Sequence, residues 1–448
     1  MASRENRLNR RDFLRTSAAG AALAGFAVVP RHVLGGAAHT PPSEKVNLAC
    51  IGVGNRGWQL IQGMQHQNIV ALCDVDARYL AKAADRFQKA TTYRDFRRML
   101  DRESKTIDAV TVATPDHVHV PASVMAMKMG KHCYTEKPLG HNIHEVREAT
   151  QVARRYGLAT QLGNTGHSGH NYRGVVELIK AGTIGGIKEV HAWCDNEWET
   201  PPRVVSNGRR DRPQGTPPVP EYLAWDLWLG PAPYRPYHPA YHPMHWRGWW
   251  DFGNGRLGDM GCHLIDLPFS ALDFKYPLTV ETESAKPAHK ESAPPWLIST
   301  WTFPARGDRP PVELTWYDGN KRPELLKGLD PPDSNYPWYV LFVGAKGMLI
   351  SGIEAFKLYP EEKFAGVRLP RLPRRPSHAD EWLTACKTGR PTGCHFDYAG
   401  PLTETVLLGT VAHRAGEKLA WDAKNMKVTN CPAADRFVRR ECRRGWTP

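Results

Sequence analysis

Residues Val46–Asp76, VNLACIGVGNRGWQLIQGMQHQNIVALCDVD, decide the fold of this chain. An apolar run of strand length (46–53) leads into Gly52-Val53-Gly54-Asn55-Arg56-Gly57, and a segment with apolar residues at helical spacing follows. A second apolar run (69–73) ends on Asp74. This order of strand, glycine loop, helix, strand and acid is typical of a dinucleotide-binding unit.

Each glycine of this loop has a task that its missing side chain explains. Gly52 permits the tight turn after the strand, Gly54 lets backbone N–H groups approach a pyrophosphate, and Gly57 lets the helix close on the strand. Asn55 and Arg56 stand at the N-terminus of the helix, whose partial positive charge favours phosphate. These five residues are therefore predicted to contact the cofactor.

Asp74 predicts which dinucleotide is bound. It stands 20 residues beyond Gly54, where a carboxylate accepts hydrogen bonds from the adenosine ribose hydroxyls and repels a 2′-phosphate. We therefore expect NAD rather than NADP. A glycine motif alone is a weak sign of binding, so a structural turn without a ligand is the alternative.

Length, net charge and cysteine content limit the classes of protein to which this chain can belong. The 448 residues suffice for two domains with separate cores. Of the net charge of +13, +4 lies in residues 1–36 and +4 in the tail from Arg436, and no basic stripe interleaved with aromatic residues remains. We therefore expect no nucleic-acid partner. Nine scattered cysteines show no metal-binding spacing, and Cys50, Cys73 and Cys262 are predicted to be buried thiols.

The N-terminus is predicted to be an export signal. Arg10-Arg11-Asp12-Phe13-Leu14 precedes a soft apolar stretch (17–29) that is too short to span a membrane. The paired arginines resemble a twin-arginine signal, which delivers folded proteins to the twin-arginine export machinery. We expect a signal over residues 1–38 and a linker over 39–44. The mature protein would be periplasmic or otherwise exported, with no stable membrane insertion; a disordered basic tail is the alternative.

The next segment alternates between strand and helix patterns. After the glycine unit, the predicted elements are a helix over 79–89, a helix ending near 100, a strand over 109–113, a helix to 129, a strand over 132–135, a helix over 143–156 and a strand over 159–162. This alternation predicts a parallel sheet in a Rossmann domain spanning residues 45–163. Ligands of such sheets bind beyond the carboxyl ends of the strands. The residues there that we expect to contact the cofactor are Thr114, Pro115, His119, Glu136, Lys137 and Gln161.

A second, substrate-binding domain is predicted over residues 164–430. Strand patterns occur at 187–194, 278–283, 297–303, 312–317, 338–344 and 347–351, with helices at 172–181, 379–387 and 402–417. Strands separated by turns indicate an open, mainly antiparallel sheet. The fold class is therefore α/β, with an N-terminal Rossmann dinucleotide-binding domain, a C-terminal α/β domain and a basic tail (431–448).

Glu136-Lys137-Pro138 follows a strand of the first domain and introduces a lysine at the nicotinamide end of the site. An ammonium group there steadies a substrate hydroxyl and favours its alkoxide, or relays a proton. The proline makes the turn rigid, and a cis peptide bond is one form of such a turn. A surface Glu–Lys pair is the alternative.

Gly258-Asp259-Met260-Gly261-Cys262-His263 places an acid and a histidine four residues apart, so on a helix they share one face. Oxidation of a secondary alcohol requires loss of its hydroxyl proton, and neutral imidazole suits that task near pH 7. We assign His263 as general base and Asp259 as its partner or as a ligand of the substrate hydroxyl. Metal binding would need a third ligand that the sequence does not show, so no metal is expected. A capping aspartate with a core histidine is the remaining alternative.

Together, GVGNRG (52–57), CDVD (73–76), ATPDHVH (113–119), EKP (136–138) and GDMGCHLID (258–266) resemble the glucose-fructose oxidoreductase/inositol dehydrogenase/MocA (Gfo/Idh/MocA) family. The likeness runs from about Val46 to the C-terminus. It implies a Rossmann domain followed by an α/β domain whose open antiparallel sheet often mediates oligomers, so a homo-oligomer through this sheet is expected. It also implies NAD(P)-dependent oxidation or reduction of sugars, inositols or related polyols.

The resemblance implies roles for individual residues as well. Lys137, Asp259 and His263 match the catalytic positions of the family. The loop over 163–168 looks like the substrate-facing loop of exported members, in which Asn164 and His167 are the predicted substrate contacts.

Residues 196–257 are rich in proline and tryptophan and depart from the minimal members of the family. Seven of the chain's 15 tryptophans fall between Trp193 and Trp250. Indole faces suit the apolar face of a pyranose, so Trp249 and Trp250 are predicted to line the substrate pocket, with Arg247 as a donor to a hydroxyl or carboxylate. The alternative is that the tryptophans form the core of the insertion itself.

These features predict an exported NAD-dependent oxidoreductase that acts on a secondary hydroxyl of a sugar, glycoside or polyol. Export favours a cofactor that is loaded before translocation and tightly bound. Relatives of this type suggest a second hypothesis, an NAD-dependent glycoside hydrolase: a sugar carbon is oxidised, the adjacent C–H is acidified, a glycosidic bond is eliminated and the hydride is returned. A third hypothesis is a non-catalytic sugar-binding protein that keeps the fold.

Overall fold

In the computed structural model, which describes residues 44–194, 211–307, 309–332 and 337–447, six strands alternate with helices in the first third of the chain. The elements are β1 (Asn47–Ile51), α1 (Asn55–Gly63), β2 (Asn68–Cys73), α2 (Ala77–Arg86), β3 (Thr91–Tyr93), α3 (Phe96–Glu103), β4 (Ala109–Val112), α4 (Asp116–Lys128), β5 (His132–Thr135), α5 (Ile143–Tyr156) and β6 (Thr160–Leu162). All strand pairs are parallel, in the order β3-β2-β1-β4-β5-β6. The predicted Rossmann-type sheet is confirmed.

Local sequence explains where several of these elements begin. The side chains of Asp76, Asp95 and Asn142 each accept a hydrogen bond of 2.9–3.0 Å from a backbone N–H in the first turn of α2, α3 and α5. These bonds satisfy amides that a helix leaves unpaired. The central strands β1, β2 and β4 are mostly apolar, and all four residues of β4 are buried. Helices on both faces of a parallel sheet account for such continuous apolar runs.

Nine strands form the second sheet. The remaining elements are α6 (His170–Lys180), β7 (Ile187–Cys194), α7 (Trp225–Leu229), α8 (Gly255–Ala271), β8 (Thr279–Ser284), β9 (Leu297–Phe303), β10 (Val312–Tyr317), β11 (Trp338–Gly344), β12 (Gly347–Ser351), β13 (Phe356–Tyr359), α9 (Glu361–Phe364), α10 (His378–Thr388), α11 (Phe396–Ala415), β14 (Leu419–Asp422) and β15 (Lys427–Val428). The order is β13-β12-β11-β7-β10-β9-β8-β14-β15. Strands β7 and β10 are parallel and the other neighbours are antiparallel. The predicted mainly antiparallel sheet is confirmed.

Helices α8 and α11 join the two sheets. Helix α11 packs against α5 of the first half and against α8 and β8 of the second, while α8 packs against β7 and β11. One apolar core accordingly includes Val110 of the parallel sheet, Leu402 of α11 and Trp301 of the antiparallel sheet. Residues from Val46 onward form one unit, so side chains from both halves are held in fixed positions relative to each other.

Most element boundaries follow the sequence patterns. The observed β5, α5, β7, β9, β10, β11 and β12 have the predicted bounds. Helix α11 begins at Phe396 rather than at 402, because Pro401 lies within the helix instead of preceding it. The patterns do not predict β13, β14 and β15, which have at most four residues each and lie at the two edges of the sheet.

Some predictions concern residues outside the described ranges, namely the signal (1–38), most of the linker (39–44) and Trp198 of the insertion. All nine cysteines are described and are free thiols, with Cys50, Cys73 and Cys262 buried as predicted. Within the described ranges, none of the helices combines the length and the apolar character that a membrane crossing requires. The same residues contain no group of three or more His, Cys, Asp or Glu side chains placed to hold a metal ion.

Candidate functional site

The glycine loop between β1 and α1 is packed too tightly for side chains at two of its positions. Gly52 has a φ of +79°, and a Cβ there would lie 2.5 Å from the Ala113 carbonyl oxygen. A Cβ on Gly57 would lie 1.9 Å from the Gly52 carbonyl oxygen. The loop is also joined to β2, since Gly52 N donates to Cys73 O at 2.8 Å. The turn therefore has the compact form that brings the N-terminus of α1 over the strand end.

Gly54 is restricted by a contact that the sequence does not predict. A Cβ at this position would lie 2.6 Å from the ring of Tyr79, a residue of α2. Asn55 follows with a φ of +40°, in the left-handed region. The glycine is thus needed for the packing of α2 against the loop, in addition to the predicted approach to a phosphate.

Asp74 directly follows β2, and both of its carboxylate oxygens are hydrogen-bonded to backbone amides. Its Oδ2 accepts from Val53 N and its Oδ1 from Asp76 N, each at 2.9 Å. Burial raises the pKa of Asp74 to about 6, although these amides oppose the shift. A carboxylate keeps unused lone pairs after one bond per oxygen, so Asp74 can still accept from ribose hydroxyls at this place.

A cleft of about 1180 Å³, counting the space at its open mouth, lies beyond the carboxyl ends of β1, β2, β4 and β5. We call it the strand-end cleft. The five sequence motifs contribute ten predicted residues to its lining: Gly52, Gly54, Asn55, Arg56, Asp74, Thr114, Pro115, Glu136, Lys137 and Asp259. The insertion and the C-terminal tail cover it with Leu227, Trp228, His242, Pro243, Met244, Trp246, Arg247 and Trp446. The structure therefore brings Lys137, Asp259 and Arg247 together with the glycine loop, across more than 100 residues of chain.

Lys137 and Asp259 form the polar centre of this cleft. Lys137 Nζ donates to Asp259 Oδ1 at 2.5 Å and to Asp259 O at 2.9 Å. Arg247 Nε lies 3.3 Å from the same Oδ1. Burial favours the neutral acid, but these two cations hold the pKa of Asp259 well below its usual range. Asp259 is therefore a carboxylate at every physiological pH, and its first partner is Lys137 rather than His263.

Asp116 is a cleft residue that the sequence predictions missed. It is the first residue of α4, it is 4% exposed, and it lines the strand-end cleft. Burial raises the pKa of Asp116 to about 7; Arg247 opposes that shift and Asp259 adds to it. Asp116 directly follows Thr114-Pro115, beyond the carboxyl end of β4. Because ligands of parallel sheets bind beyond these strand ends, its position could have identified it.

His263 lies one helical turn from Asp259 on α8 but is not among the residues that line the cleft. Its ring stacks on Trp338, with 6.4 Å between centroids and 6° between planes. Burial, followed by the charge of Lys137, lowers the pKa of His263 to about 3. The imidazole is thus neutral at pH 7 and close to the Lys137–Asp259 pair, as predicted, yet no hydrogen bond to Asp259 is formed between these two described side chains.

Arg56 and Glu136 connect the glycine loop to the end of β5. Arg56 Nε donates to Glu136 Oε1 at 2.8 Å. The second oxygen, Oε2, is buried and has no hydrogen-bond partner among the described residues. Gly163 packs on this carboxylate, because a Cβ there would lie 2.5 Å from Glu136 Cδ. Glu136 therefore ties the glycine loop to the end of β5, with one carboxylate oxygen buried against Gly163.

His119 supports the cleft without lining it. Its two ring nitrogens lie 2.7 Å from Pro138 O and 2.8 Å from Thr114 O, so the ring bridges the segments that follow β4 and β5. The Lys137–Pro138 peptide bond is cis, one of the forms that the sequence allows. The predicted direct contact of His119 with the cofactor is replaced by a role in positioning Thr114 and Pro138.

Three further predicted ligand contacts are turned into the protein instead. Asn164 Nδ2 donates to Cys262 O at 2.8 Å, His167 Nδ1 lies 3.0 Å from Asp266 Oδ2, and Gln161 Nε2 donates to His378 O at 3.0 Å. None of the three lines the strand-end cleft. The predictions assume that polar residues in and directly after β6 face the ligand, but here they bind α8 and α10, which only the tertiary packing reveals.

The tryptophans of the insertion divide between the cleft and a separate core. Trp246 lines the cleft beneath the Arg247 guanidinium, which lies 4.3 Å from its ring centroid. Trp249 and Trp250 do not line it: they are 2% and 6% exposed, and their indole N–H groups donate to Ala240 O and His289 O, both at 2.9 Å. The prediction that Trp249 and Trp250 face the substrate is therefore corrected: Trp249 packs in the core of the insertion, and Trp250 packs against α11 beside His413 and Arg414.

Trp446, close to the C-terminus, covers one end of the cleft. Its ring packs edge-on against Phe96 at 5.9 Å, and the Arg97 guanidinium lies 4.0 Å above it. The tail is fixed further by Arg443, whose Nη1 donates to Asp226 Oδ1 at 2.6 Å. The basic tail is thus part of the wall of this site.

Models of two protein families match the chain. Residues 46–164 match the Gfo/Idh/MocA model described as "Oxidoreductase family, NAD-binding Rossmann fold". Residues 203–448, more than half of the chain, match its companion described as "Oxidoreductase family, C-terminal alpha/beta domain". The chain belongs to the Gfo/Idh/MocA oxidoreductase family. In this Gfo/Idh/MocA protein, the glycine loop, Asp74 and Lys137 come from the NAD-binding region, while Arg247 and Asp259 come from the C-terminal region.

Individual relatives resemble parts of the chain or its fold. A "Glycosyl hydrolase family 109 protein" of Shewanella baltica is 26% identical over 260 residues, 48% of this chain and 55% of the relative. The chain thus spans about half the length of the curated relatives it matches. The WlbA dehydrogenase from Bordetella pertussis, in complex with NADH and UDP-GlcNAcA, has a TM-score of 0.58 at 15% identity and covers 84% of this chain and 99% of that one. A myo-inositol 2-dehydrogenase from Lactobacillus plantarum has a TM-score of 0.55 at 16% identity, with 84% and 100% covered. At these identities the two structures show a common Gfo/Idh/MocA fold.

Proposed function

We propose that the protein transfers hydride between NAD in the strand-end cleft and a secondary hydroxyl of a sugar, glycoside or polyol. One observation carries the proposal: the glycine loop with Asp74 and the Lys137–Asp259–Arg247 cluster line the same cleft. A carbohydrate substrate is supported by the relatives, since one is named a myo-inositol dehydrogenase and another is in complex with a sugar nucleotide.

The residues of the cleft fit NAD. The compact turn at Gly52 and Gly57 leaves the N-terminus of α1 beside the cleft, which favours a pyrophosphate. Asp74, in the wall of the same cleft, is placed to accept from ribose hydroxyls. When bound there, the nicotinamide supplies the site that accepts or returns the hydride.

Lys137 is the group that would hold the reacting hydroxyl. An ammonium group has three N–H donors, and two of them go to Asp259. The third is available to a substrate oxygen, where the positive charge favours the alkoxide. Asp259 keeps the lysine in this orientation, and Arg247 adds a second cation at the same end of the cleft.

The proton of that hydroxyl is assigned to His263. The ring is neutral at pH 7 and therefore has a lone pair to offer, although the burial that lowers its pKa to about 3 also weakens it as a base. It is close enough to Lys137 and Asp259 to experience both charges. Replacing His263 by Ala is expected to reduce turnover about 10²- to 10⁴-fold while NAD is still bound. Unchanged turnover in this variant would remove His263 from the reaction, and no turnover in the unmodified protein on a broad sugar panel would favour a non-catalytic sugar-binding protein.

A second candidate is an NAD-dependent glycoside hydrolase that works by transient oxidation and elimination. It is supported by the name of the Shewanella baltica relative and by the cover that Trp228 and Trp446 place over the cleft, which suits a retained cofactor. Purified protein would be assayed on aryl glycosides and on free sugars, with and without added NAD. NADH accumulation with added NAD supports the dehydrogenase. Bond cleavage without added NAD and without NADH accumulation supports the hydrolase.

We also propose that the protein is exported through its twin-arginine-like signal with NAD already in place, and that copies associate through the nine-stranded sheet. The motif over residues 10–14 and the need for a cofactor loaded in the cytoplasm support the first proposal. A native mass spectrum of the protein from the periplasmic fraction tests export, the presence of bound NAD and the association of copies. The expected species lacks the signal, carries the mass of NAD and is a multimer.

A further inference from the structure

A second cavity lies apart from the strand-end cleft and shares no lining residue with it. Its volume is about 1190 Å³, counting the space at its mouth. Four segments meet there: residues 141–143 at the start of α5, the insertion, helix α11 and the C-terminal tail. The residues that define this arginine cavity are His141, Asn142, Trp250, Asp251, Arg414, Arg436, Phe437, Arg439, Arg440 and Glu441.

The charges of the arginine cavity do not balance. Arg440 Nε donates to Glu145 Oε1 at 2.7 Å, so this pair is internally neutral. The Asp251 carboxylate is bonded to Arg235. Three arginines, at positions 414, 436 and 439, then have no carboxylate within ion-pair distance in the described parts of the chain, and Glu441 is the one remaining acid of the lining. An excess of positive charge is left at the cavity wall.

Three residues of the cavity lining also have buried polar side-chain atoms without partners among the described residues. His141 is 8% exposed, and neither of its ring nitrogens makes a hydrogen bond of normal geometry with a described residue, although the Trp250 backbone is close enough to affect the pKa of the ring. Arg440 Nη1 and Asn142 Nδ2 are buried and unpartnered in the same sense. Buried polar groups in proteins nearly always have partners. Unused donors gathered beside unpaired cations therefore indicate a ligand that brings acceptors and negative charge.

Aromatic rings hold the arginines in place. The Arg414 guanidinium lies 4.2 Å from the Phe437 ring centroid and 5.4 Å from that of Trp250, and Arg436 lies 4.6 Å from Phe437. A guanidinium stacked on a ring keeps its in-plane N–H groups for another partner, and those groups suit the paired oxygens of an oxyanion. Burial lowers the pKa of Arg414 to about 10, as expected for a desolvated cation.

We propose that the arginine cavity binds an oxyanion, a sulfate, phosphate or carboxylate group, with Arg414, Arg440 and His141 as the inner donors. Arg436 and Arg439 are exposed at the rim and attract the anion from solution. The site does not depend on the hydride transfer proposed above. The cavity is large enough for a sugar-sized molecule, so the oxyanion has two possible sources: an inorganic ion, or an acidic group on a carbohydrate.

The test is a titration of the purified full chain with its NAD, followed by calorimetry and by thermal unfolding. The probes are sodium sulfate, sodium phosphate, glucuronate and glucose, each at an ionic strength matched with sodium chloride. Sulfate or phosphate is expected to bind and to raise the melting temperature, while glucose is not. Glucuronate binding more tightly than inorganic anions identifies a carbohydrate-borne group; the reverse order identifies an inorganic ion.

Variants keep the proposal falsifiable even if one of them folds poorly. Arg414→Gln is expected to weaken anion binding at least about tenfold, because a charge-assisted hydrogen bond is lost, and Arg414→Lys to retain part of it. Arg439→Gln, at the exposed rim, is expected to weaken binding less. Arg390→Gln, an exposed arginine outside the cavity, serves as the matched control. Equal stabilisation by chloride and sulfate, or equal affinity in the control and in Arg414→Gln, would overturn the proposal; NAD content reports separately on the cleft.

Discussion

The two ends of the strand-end cleft are built in different ways. At the end near the glycine loop, Gly52, Gly57 and Asp74 lie within 25 residues of chain, and their positions follow from one turn and two strands. At the other end, Lys137, Arg247 and Asp259 come from distant segments that only the packed fold brings together. The first end is thus specified by local geometry and the second by long-range packing. A change at the first should remove the cofactor, and a change at the second should remove turnover while the cofactor stays.

The largest effect is expected at the end of the cleft formed by Lys137, Arg247 and Asp259, the packed end. Lys137→Met removes the ammonium group that is bonded to Asp259, and turnover is expected to fall about 10²- to 10⁴-fold, with NAD content unchanged. Turnover is measured on the sugar or glycoside that the assays identify, and NAD is measured by absorbance after unfolding. Lys188→Met, at an exposed lysine of β7, is the control. Loss of NAD together with turnover would show that the two ends are not separate.

The second-largest effect is expected at the end formed by Gly52, Gly57 and Asp74, the local end. Gly57→Ala places a Cβ 1.9 Å from a backbone carbonyl oxygen, so the variant is expected to lose NAD and about 3 kcal/mol of unfolding free energy. Gly63→Ala, in the same helix with no atom within 4 Å of the new Cβ, is expected to be neutral or slightly stabilising. Denaturant unfolding and NAD content check both variants. Equal behaviour of the two would contradict the tight turn.

Asp116, in the wall of the same cleft, is expected to make the stability of the protein depend on pH. Its folded-state pKa of about 7 lies above the unfolded value, so the folded protein keeps a proton that the unfolded chain has released, and this contribution to stability declines as pH rises from about 4 to 7. Asp116→Asn removes the titrating carboxyl and with it this pH dependence. As pH rises from 5 to 7, the free energy of unfolding of the unmodified protein is therefore expected to fall by about 2 kcal/mol more than that of the variant. Unfolding at each pH measures the difference, and Asp101→Asn, at an exposed aspartate, should show none.

The smallest effect is expected at Trp446 and tests whether the local end holds NAD without help from the C-terminal tail. Trp446→Ala opens the cover that the tail places over the cleft, and NAD dissociation is expected to become about tenfold faster, a change of about 1.4 kcal/mol. Dissociation is followed by fluorescence after dilution, with the exposed Tyr234→Ala as control. Unchanged dissociation would mean that the glycine loop and Asp74 hold the cofactor without the tail.

The sequence by itself determined the parallel sheet, the glycine turn, Asp74 as the acid that follows β2, and six of the nine strands of the second sheet. It did not determine the short edge strands β13, β14 and β15 or the parallel direction of the β7–β10 pair. The features that it determined depend on periodicity and on backbone geometry over a few residues, which neighbouring residues encode. It also identified Lys137 and Asp259 as members of one site, because their motifs are specific to the family.

Only the tertiary structure decided which polar and aromatic side chains reach a cavity. Asn164, His167, Gln161 and Trp249 are as polar or as large as true ligand contacts, yet they bind other parts of the chain. Asp116 and Trp446, which face the strand-end cleft, have no periodicity that marks them. The direction of a side chain relative to a distant segment depends on how whole elements pack, and that information is spread over the chain rather than contained in a motif.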